Sequence, residues 1–369
     1  MNNPDTSSEH FHGSDLQKVE AKYHIKASDI ISFSANVNPL GLSDKLKAEL
    51  SSHLDCLTAY PDREYTALRN VIADYCGCNA DHVVVGNGSS ELISLFIRAL
   101  APKKSLILGP TYSEYMNEAK GAGSEASYFE LKESEGFVLD EAALISALAD
   151  DTSLLVICNP NNPTGGAIRR SVLDRIADHC RSIGCFVLID ETYVEFASDM
   201  DDITAVPLAE KYTNLALLRG VSKFYSSPGL RLGYALCSDT GLRQRISMQQ
   251  VPWSINSLAE VAGRLMFTDT AFQQQTRDLI FSERKRLTKR LSENPLLKVY
   301  PSDSNFILVK LLTSDVTAAS LFDAAMRLGM MIRDCSTFCF LDESFFRFCI
   351  MDPSDNDRLM ECIEKCLSK

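Results

Sequence analysis

Lys223 stands in a setting suited to covalent chemistry. It follows an apolar run, residues 215–218, that is typical of a buried strand, and Ser222 directly precedes it. Arg231 comes shortly afterwards, behind a Pro-Gly turn. An amine in this place can form a Schiff base with an aldehyde, while the hydroxyl and the guanidinium can hold a phosphate. The segment therefore favours a cofactor that carries both groups, with a solvated loop lysine as the alternative.

A carboxylate upstream supplies the second half of such a site. Residues 186–189 form an apolar run that ends in Asp190, and Tyr193 follows. At the carboxyl end of a parallel strand, a side chain faces the crevice where α/β proteins hold ligands. Asp190 could pair there with a pyridine nitrogen, and Tyr193 is within reach of a ring hydroxyl. Together these groups indicate pyridoxal 5'-phosphate (PLP), although a helix cap would also explain Asp190 alone.

Three further segments complete the predicted cofactor site. A strand runs into a turn rich in Asn and Pro, where Asn162 would donate to the phenolate oxygen of PLP. Gly88, Ser89 and Ser90 follow another strand and open a helix, whose free N–H groups favour a phosphate. Tyr112, just past a third strand, could stack on the cofactor ring or belong to the core.

The order of these motifs resembles that of the fold-type I PLP enzymes, in the aminotransferase class I and II group. Two subfamilies of that group act on small phosphorylated amines: histidinol-phosphate aminotransferase and threonine-phosphate decarboxylase of cobalamin synthesis. Residues 11–14, 31–41, 251–256 and 331–336 resemble the decarboxylase. The resemblance runs from about His12 to the C-terminal helix and favours the decarboxylase branch.

The reaction that this resemblance implies is a PLP-dependent decarboxylation with Lys223 as the catalytic residue. The substrate would be O-phospho-L-threonine and the product (R)-1-amino-2-propanol O-2-phosphate, the linker of the cobalamin nucleotide loop. O-phospho-L-serine, which would give ethanolamine phosphate, stays open because one methyl group changes binding by only about 1–3 kcal/mol. Lys223 would return a proton to the substrate carbon after carbon dioxide has left.

A substrate with a carboxylate and a phosphate requires two anion-binding groups. Arg347 stands in an otherwise apolar run, where a charge is costly unless it is paired, and Arg333 is the second candidate. The sequence leaves open which arginine takes which anion. Asn162 is also predicted to contact the substrate. The remaining residues that the resemblance places around the substrate are His12, Gly13, Ser14 and Asn36.

Two alternatives remain at this point. The first is an aminotransferase acting on histidinol phosphate or a similar amine, which would require a 2-oxo acid. The second is a fold-type I protein that has lost catalysis and serves as a binding or assembly module. Retention of Lys223, Asp190, Asn162 and Arg231 argues against the second alternative.

Gly220 and Ser14 differ from the pattern of the family that the chain resembles, and Tyr60 is a candidate for contact with a second subunit. Many relatives carry a hydroxyl where this chain has Gly220, so that one phosphate contact is absent unless Ser89 or Ser90 replaces it. Ser14 stands at the third position of a His-Gly-Gly motif, where it could bind the substrate or occupy a turn. The resemblance implies that Tyr60 reaches the cofactor phosphate of a partner subunit, which would make a homodimer obligatory; a simple turn is the alternative.

Composition excludes several classes of protein. With 369 residues, of which 45% are apolar, the chain can build a large core and more than one domain. A net charge of −12 argues against nucleic acid and anionic membranes as partners. The first residues lack the features of a signal peptide, and no apolar run approaches membrane-spanning length, which favours a cytoplasmic protein. The 12 cysteines are scattered through apolar runs, which predicts reduced, mostly buried thiols rather than a metal site.

Apolar runs that alternate with helical patterns predict an α/β fold. Helices between the runs imply a mostly parallel seven-stranded sheet, covered on both faces. The seven predicted strands are residues 83–85, 105–108, 127–130, 154–158, 186–190, 215–219 and 233–237.

The pattern changes near Trp253, where a long helical stretch begins. Strands predicted after it are residues 306–311, 331–333 and 345–350, followed by a helix over residues 355–367. We therefore predict three segments: an N-terminal arm (1–40) that contributes to the substrate site, a large PLP-binding domain (41–250) and a smaller C-terminal α/β domain (251–369).

Overall fold

The computed structural model describes residues 15–368, and within them the predicted α/β architecture is confirmed. The strands are β1 (Ile31–Ser32), β2 (Val83–Gly86), β3 (Lys104–Gly109), β4 (Glu125–Glu130), β5 (Leu154–Cys158), β6 (Phe186–Asp190), β7 (Leu215–Gly220), β8 (Gly233–Cys237), β9 (Leu297–Val299), β10 (Phe306–Leu311), β11 (Met330–Met331), β12 (Arg333–Asp334) and β13 (Phe345–Cys349).

Helices cover the faces of the sheets and join the strands. The α-helices are α1 (Leu16–Tyr23), α2 (Asp44–Ser52), α3 (Thr66–Cys76), α4 (Ser89–Leu100), α5 (Glu114–Gly121), α6 (Glu141–Ala147), α7 (Arg170–Ser182), α8 (Met200–Ile203), α9 (Val206–Lys211), α10 (Thr240–Gln249), α11 (Ser257–Met266), α12 (Thr270–Ser292), α13 (Ala318–Met326) and α14 (Pro353–Leu367). Short 3₁₀ segments occupy Ala27–Asp29, Leu54–Thr58, Ala80–His82, Glu133–Glu135, Val194–Phe196 and Pro228–Leu230.

The large sheet has seven strands in the order β2-β8-β7-β6-β5-β3-β4. All seven strands were predicted, with small shifts at their ends. Strands β3 to β7 run parallel, and β8 is antiparallel to both of its neighbours. In register, Cys158 is the partner of Asp190, and Asp190 is the partner of Leu218. The carboxyl ends of β5, β6 and β7 therefore meet at one edge of the sheet.

The second sheet, in the order β12-β13-β10-β9, is antiparallel. The single strand predicted over residues 331–333 is wrong, because the chain passes there from one sheet to another. Strand β11 pairs in parallel with β1 of the N-terminal arm, and after the buried Ile332 strand β12 pairs with β13. The short strand β9 was not predicted. The large sheet lies within residues 41–250 and the second sheet within 251–369, while the domain boundaries themselves stay predictions.

A buried ion pair ties β6 to β7 directly behind the predicted cofactor site. The Nη2 and Nε atoms of Arg219 donate to Glu191 Oε2 at 2.7 and 3.0 Å, and both side chains are at most 2% exposed. Thr204 accepts from the same guanidinium at 2.7 Å. Because consecutive residues of an extended segment point to opposite faces, Glu191 turns to this pair while Asp190 turns to the other side. The ion pair thus holds the two strand ends at a fixed spacing.

Two further features bear on the class of protein. No helix between residues 15 and 368 is long and apolar enough to cross a membrane. The 12 cysteines are free thiols, most of them buried, and no group of three or more His, Cys, Asp or Glu in the described part of the chain could hold a metal ion.

Candidate functional site

A cavity of about 930 Å³ lies at the carboxyl ends of the parallel strands, where it also meets the second sheet and the N-terminal arm. Most of the predicted site residues line it. These are Asn36, Ser89, Ser90, Tyr112, Asn162, Asp190, Tyr193, Ser222, Lys223, Arg231, Arg333 and Arg347. Gly88 and Tyr60 are not part of its wall, and His12, Gly13 and Ser14 lie outside the described residues.

Lys223 projects from the loop after β7 into the cavity. Its Nζ donates to the carbonyl oxygen of Ala35 at 2.6 Å, a contact that no sequence motif indicated. Burial and, after it, the positive charge of Arg347 lower the pKa of Lys223 to about 8. A larger fraction of this amine is therefore neutral near pH 7 than for a solvated lysine, which suits a nucleophile.

Asp190 presents a buried carboxylate to the cavity with a fixed orientation. Thr192 donates to Oδ1 through its N–H at 2.9 Å and its hydroxyl at 2.6 Å, and the Tyr115 hydroxyl donates to Oδ2 at 2.8 Å. Burial raises the pKa of Asp190, against the effect of these hydrogen bonds. Such a carboxylate is stabilised by a cationic partner, and a protonated pyridine would supply one. A threonine two residues after an aspartate could have indicated the Thr192 contact, whereas nothing pointed to Tyr115.

Two donors face the cavity beside Asp190. The hydroxyl oxygen of Tyr193 accepts a hydrogen bond from Asn36 Nδ2 at 3.2 Å, so that the phenol proton is left for another acceptor. Asn162 accepts from Arg347 Nη1 through Oδ1, which leaves its Nδ2 as a donor. Two converging donors of this kind fit a phenolate oxygen.

The amino terminus of α4 forms the other end of the cavity. Gly88 has φ +82°, and a Cβ there would lie 2.5 Å from Arg231 Nη2, so only glycine allows the guanidinium this approach. Arg231 donates to the carbonyl oxygens of Pro228 and Asn87. A guanidinium beside a helix amino terminus is a setting for a phosphate. A Cβ on Gly220 would lie 3.5 Å from Ser89 Oγ, so the Ser89 hydroxyl borders the space that a side chain at residue 220 would occupy.

Arg333 and Arg347 are direct cross-strand partners on β12 and β13. Both are buried, and burial and then the charge of Arg347 lower the pKa of Arg333. Arg347 donates to neutral oxygens, those of Asn162 and of the Ser34 carbonyl at 2.9 Å, and Arg333 donates to Thr337 Oγ1 at 2.9 Å. Like charges in such a position are destabilising, and anions between them would offset the repulsion.

Asn38 connects the N-terminal arm by hydrogen bonds to the loop after β7 that carries Lys223, called here the lysine loop. Its Nδ2 donates to the Phe224 carbonyl at 2.7 Å and to Thr276 Oγ1 of α12 at 2.8 Å, and its N–H donates to the Lys223 carbonyl at 3.0 Å. From the sequence, Asn38 was noted only as part of the segment 31–41 that resembles the decarboxylase. Its three contacts fix the backbone on both sides of the peptide that carries the reactive amine.

The donor set as a whole fits PLP. It offers a buried carboxylate for the pyridine nitrogen, two donors for the phenolate, an amine for the aldehyde, and a helix amino terminus with an arginine for the phosphate. The two buried arginines, Arg333 and Arg347, lie on the second sheet, and none of these four contacts with PLP would use them.

Comparison with known proteins gives matches along nearly the whole chain. The family model for aminotransferase class I and II matches residues 28–363. The threonine-phosphate decarboxylase of Salmonella typhimurium is 33% identical over 357 residues, which cover 97% of this chain and 96% of that protein.

Solved structures give the same result. The crystal structure of histidinol-phosphate aminotransferase from Clostridium acetobutylicum has 31% identity and a TM-score of 0.84, covering 90% of this chain and 98% of that one. For L-threonine-O-3-phosphate decarboxylase from Porphyromonas gingivalis these values are 25%, 0.80, 91% and 99%. Relatives of both activities therefore share this fold.

The lowered pKa of Lys223 predicts how capture of PLP by the cofactor-free protein depends on pH. The rate should follow the neutral fraction of the amine, rising with pH and reaching half of its plateau near pH 8, where the pKa of Lys223 lies. The growth of visible absorbance after mixing, followed from about pH 6 to pH 10, measures it, and Lys223→Ala is the control. A half-maximal rate close to pH 10 would show that the amine is not perturbed.

Proposed function

Because the chain belongs to the aminotransferase class I and II family of PLP-dependent enzymes, we propose that it decarboxylates O-phospho-L-threonine. The product would be (R)-1-amino-2-propanol O-2-phosphate, a building block of the cobalamin nucleotide loop. The observation that carries the proposal is the pair of buried, adjacent arginines on β12 and β13, which suits a substrate with two anionic groups. The similarity to the Salmonella typhimurium decarboxylase supports the same choice.

PLP, when bound, supplies an electron sink for the pair of electrons left at the substrate Cα. Asp190 would keep the pyridine nitrogen protonated, since a buried carboxylate is stabilised by a cation. Thr192 and Tyr115 hold that carboxylate from both of its oxygens, so it cannot rotate away. Tyr193 and Asn162 would donate to the phenolate from the side on which Arg347 lies.

The positions of the two arginines support an assignment of their ligands. Burial and then the charge of Arg347 lower the pKa of Lys223, and Arg333 contacts the loop after β12 through Thr337 and the ring of Phe338. We therefore infer that Arg347 binds the α-carboxylate, next to the reacting carbon, and that Arg333 binds the more distant phosphate. By fixing the orientation of the carboxylate, Arg347 would align the bond to be broken, and this alignment would decide between loss of carbon dioxide and loss of a proton.

Lys223 would then supply the proton that replaces carbon dioxide. With a pKa of about 8, most of the free amine is protonated at neutral pH, and the Ala35 carbonyl accepts a hydrogen bond from the nitrogen at 2.6 Å. An amine with a pKa near the working pH can both lose and return a proton readily.

Release of carbon dioxide tests the proposed function. PLP-loaded protein should release carbon dioxide from O-phospho-L-threonine over many turnovers without any 2-oxo acid. O-phospho-L-serine in parallel shows whether the methyl group matters, with a ratio of about 10 to 200 in kcat/KM if it is held in a pocket. No release from either, together with transfer of an amino group from histidinol phosphate to 2-oxoglutarate, would contradict the proposal.

The assignment of the arginines predicts two different losses. Arg333→Gln should raise the KM for O-phospho-L-threonine at least about tenfold and change the weak binding of L-threonine little, because only the phosphate loses a partner. Arg347→Gln should weaken the binding of both O-phospho-L-threonine and L-threonine. It should weaken the binding of 1-amino-2-propanol phosphate, which has no carboxylate, much less. Inhibition constants measure these effects, and Arg175→Gln on the exposed face of α7 is the matched control. The reverse pattern would exchange the two roles.

We propose further that the active form is a homodimer. Tyr60 is 80% exposed and packs on Trp253, with the ring centroids 4.8 Å apart. Leu57 lies close to Tyr60 in the sequence, and Met248 and Val251 lie close to Trp253. All three of these side chains are also more than half exposed. Exposed apolar side chains in such a group are typical of a surface that another protein covers. Tyr60 does not line the cavity of its own chain, which supports the inference that it reaches the site of a second copy.

Mixing two impaired variants at limiting PLP, where Tyr60→Ala has little activity, tests this sharing. Tyr60→Ala should weaken PLP binding about tenfold or more, and Lys223→Ala should abolish turnover. A mixed dimer has one site with both residues intact, so mixing the two proteins after partial unfolding and refolding should restore activity. A monomer in sedimentation equilibrium, or no recovery on mixing, would contradict a shared site.

A further inference from the structure

The strip of residues 34–36 in the N-terminal arm runs along the cavity wall past three functional side chains. Its contacts are, in chain order, the Ser34 carbonyl with Arg347 Nη2 at 2.9 Å, the Ala35 carbonyl with Lys223 Nζ at 2.6 Å, and Asn36 Nδ2 with the Tyr193 hydroxyl at 3.2 Å. Ser34 is thus the member of the strip that adjoins the guanidinium rather than the amine or the phenol.

The hydroxyl of Ser34 is a buried donor without a partner. The residue is 4% exposed and lines the cavity, and its Oγ makes no hydrogen bond with any described residue. The Nε of Arg347 is also buried and makes no hydrogen bond with any described residue. Buried polar groups are nearly always hydrogen-bonded in folded proteins, so two unsatisfied donors on adjoining residues that both line the cavity favour an acceptor supplied by a ligand.

We propose that Ser34 binds the substrate, by donating a hydrogen bond from its hydroxyl to the α-carboxylate that Arg347 holds. This inference rests on the proposed function for the identity of that ligand. A carboxylate is an acceptor only, with two oxygens and about four lone pairs, so a guanidinium leaves room for another donor. A third hydrogen bond restricts rotation of the carboxylate about its bond to Cα. Without this restriction, the carboxylate would turn more freely, and the bond between Cα and the carboxylate would be less well aligned for decarboxylation.

Two ligands that differ by the carboxylate test the role of Ser34. Ser34→Ala removes the hydroxyl and leaves the backbone carbonyl that accepts from Arg347. It should weaken binding of O-phospho-L-threonine by about tenfold, the usual loss for one hydrogen bond to a charged group. Binding of 1-amino-2-propanol phosphate, which has no carboxylate, should change less than about twofold. Dissociation constants come from the change in the visible spectrum of the PLP-loaded protein immediately after mixing.

Ser304→Ala is the matched control, because the Ser304 hydroxyl is also buried and without a partner but does not line the cavity. It should change neither dissociation constant, whereas Ser34→Thr, which keeps a hydroxyl, should bind the phosphoamino acid more tightly than Ser34→Ala does. Equal losses for both ligands, or no loss for either, would overturn the proposal. Because these are binding measurements, they remain decisive if the wild-type protein releases no carbon dioxide, a result that would count against the proposed function alone.

Discussion

The burial of positively charged side chains at one corner of the cavity is the constraint on which the rest of this site depends. Arg333 and Arg347 face each other across β12 and β13, and burial, followed by the charge of Arg347, lowers the pKa of both Arg333 and Lys223. Burying cationic groups is costly, and anions that balance them reduce the cost. The lowered pKa of Lys223 gives a larger neutral fraction of the amine than a solvated lysine has, which prepares it as a nucleophile, while most of the amine stays protonated at pH 7. A dianionic substrate would add balancing charge, so ligand binding and amine reactivity depend on the same charges.

The fold holds this corner together from three directions. The parallel strands bring Asp190 and Lys223 to one edge, and the Arg219–Glu191 pair fixes the spacing behind them. The second sheet contributes the arginines. The N-terminal arm closes the gap between the two sheets, since β1 pairs with β11 and Asn38 binds the lysine loop. No single segment of the chain therefore contains the site.

The large sheet, and the side chains that line the cavity at its edge, could be predicted from sequence because each follows from a short local pattern. Asp190, Asn162 and Lys223 each come within about five residues of the end of an apolar run, and strand ends in a parallel sheet converge. The contact of Tyr115 with Asp190 could not be predicted, because it joins a helix to a strand far away in the chain. The strand predicted over residues 331–333 was wrong for a similar reason, since its pairing is decided by β1 at the other end of the sequence. Ser34 and Thr337 were missed because only the folded structure shows which of the many hydroxyl-bearing residues line the cavity.

The most direct test of this account is the fate of the α-hydrogen. PLP-loaded protein would be given O-phospho-L-threonine that carries deuterium at Cα, and released carbon dioxide and retained deuterium would be measured together. If Arg347 aligns the carboxylate as proposed, each molecule of amine product should keep its deuterium and be accompanied by one molecule of carbon dioxide. Loss of the deuterium to water without release of carbon dioxide would contradict the account, since it would mean that the site aligns the C–H bond instead.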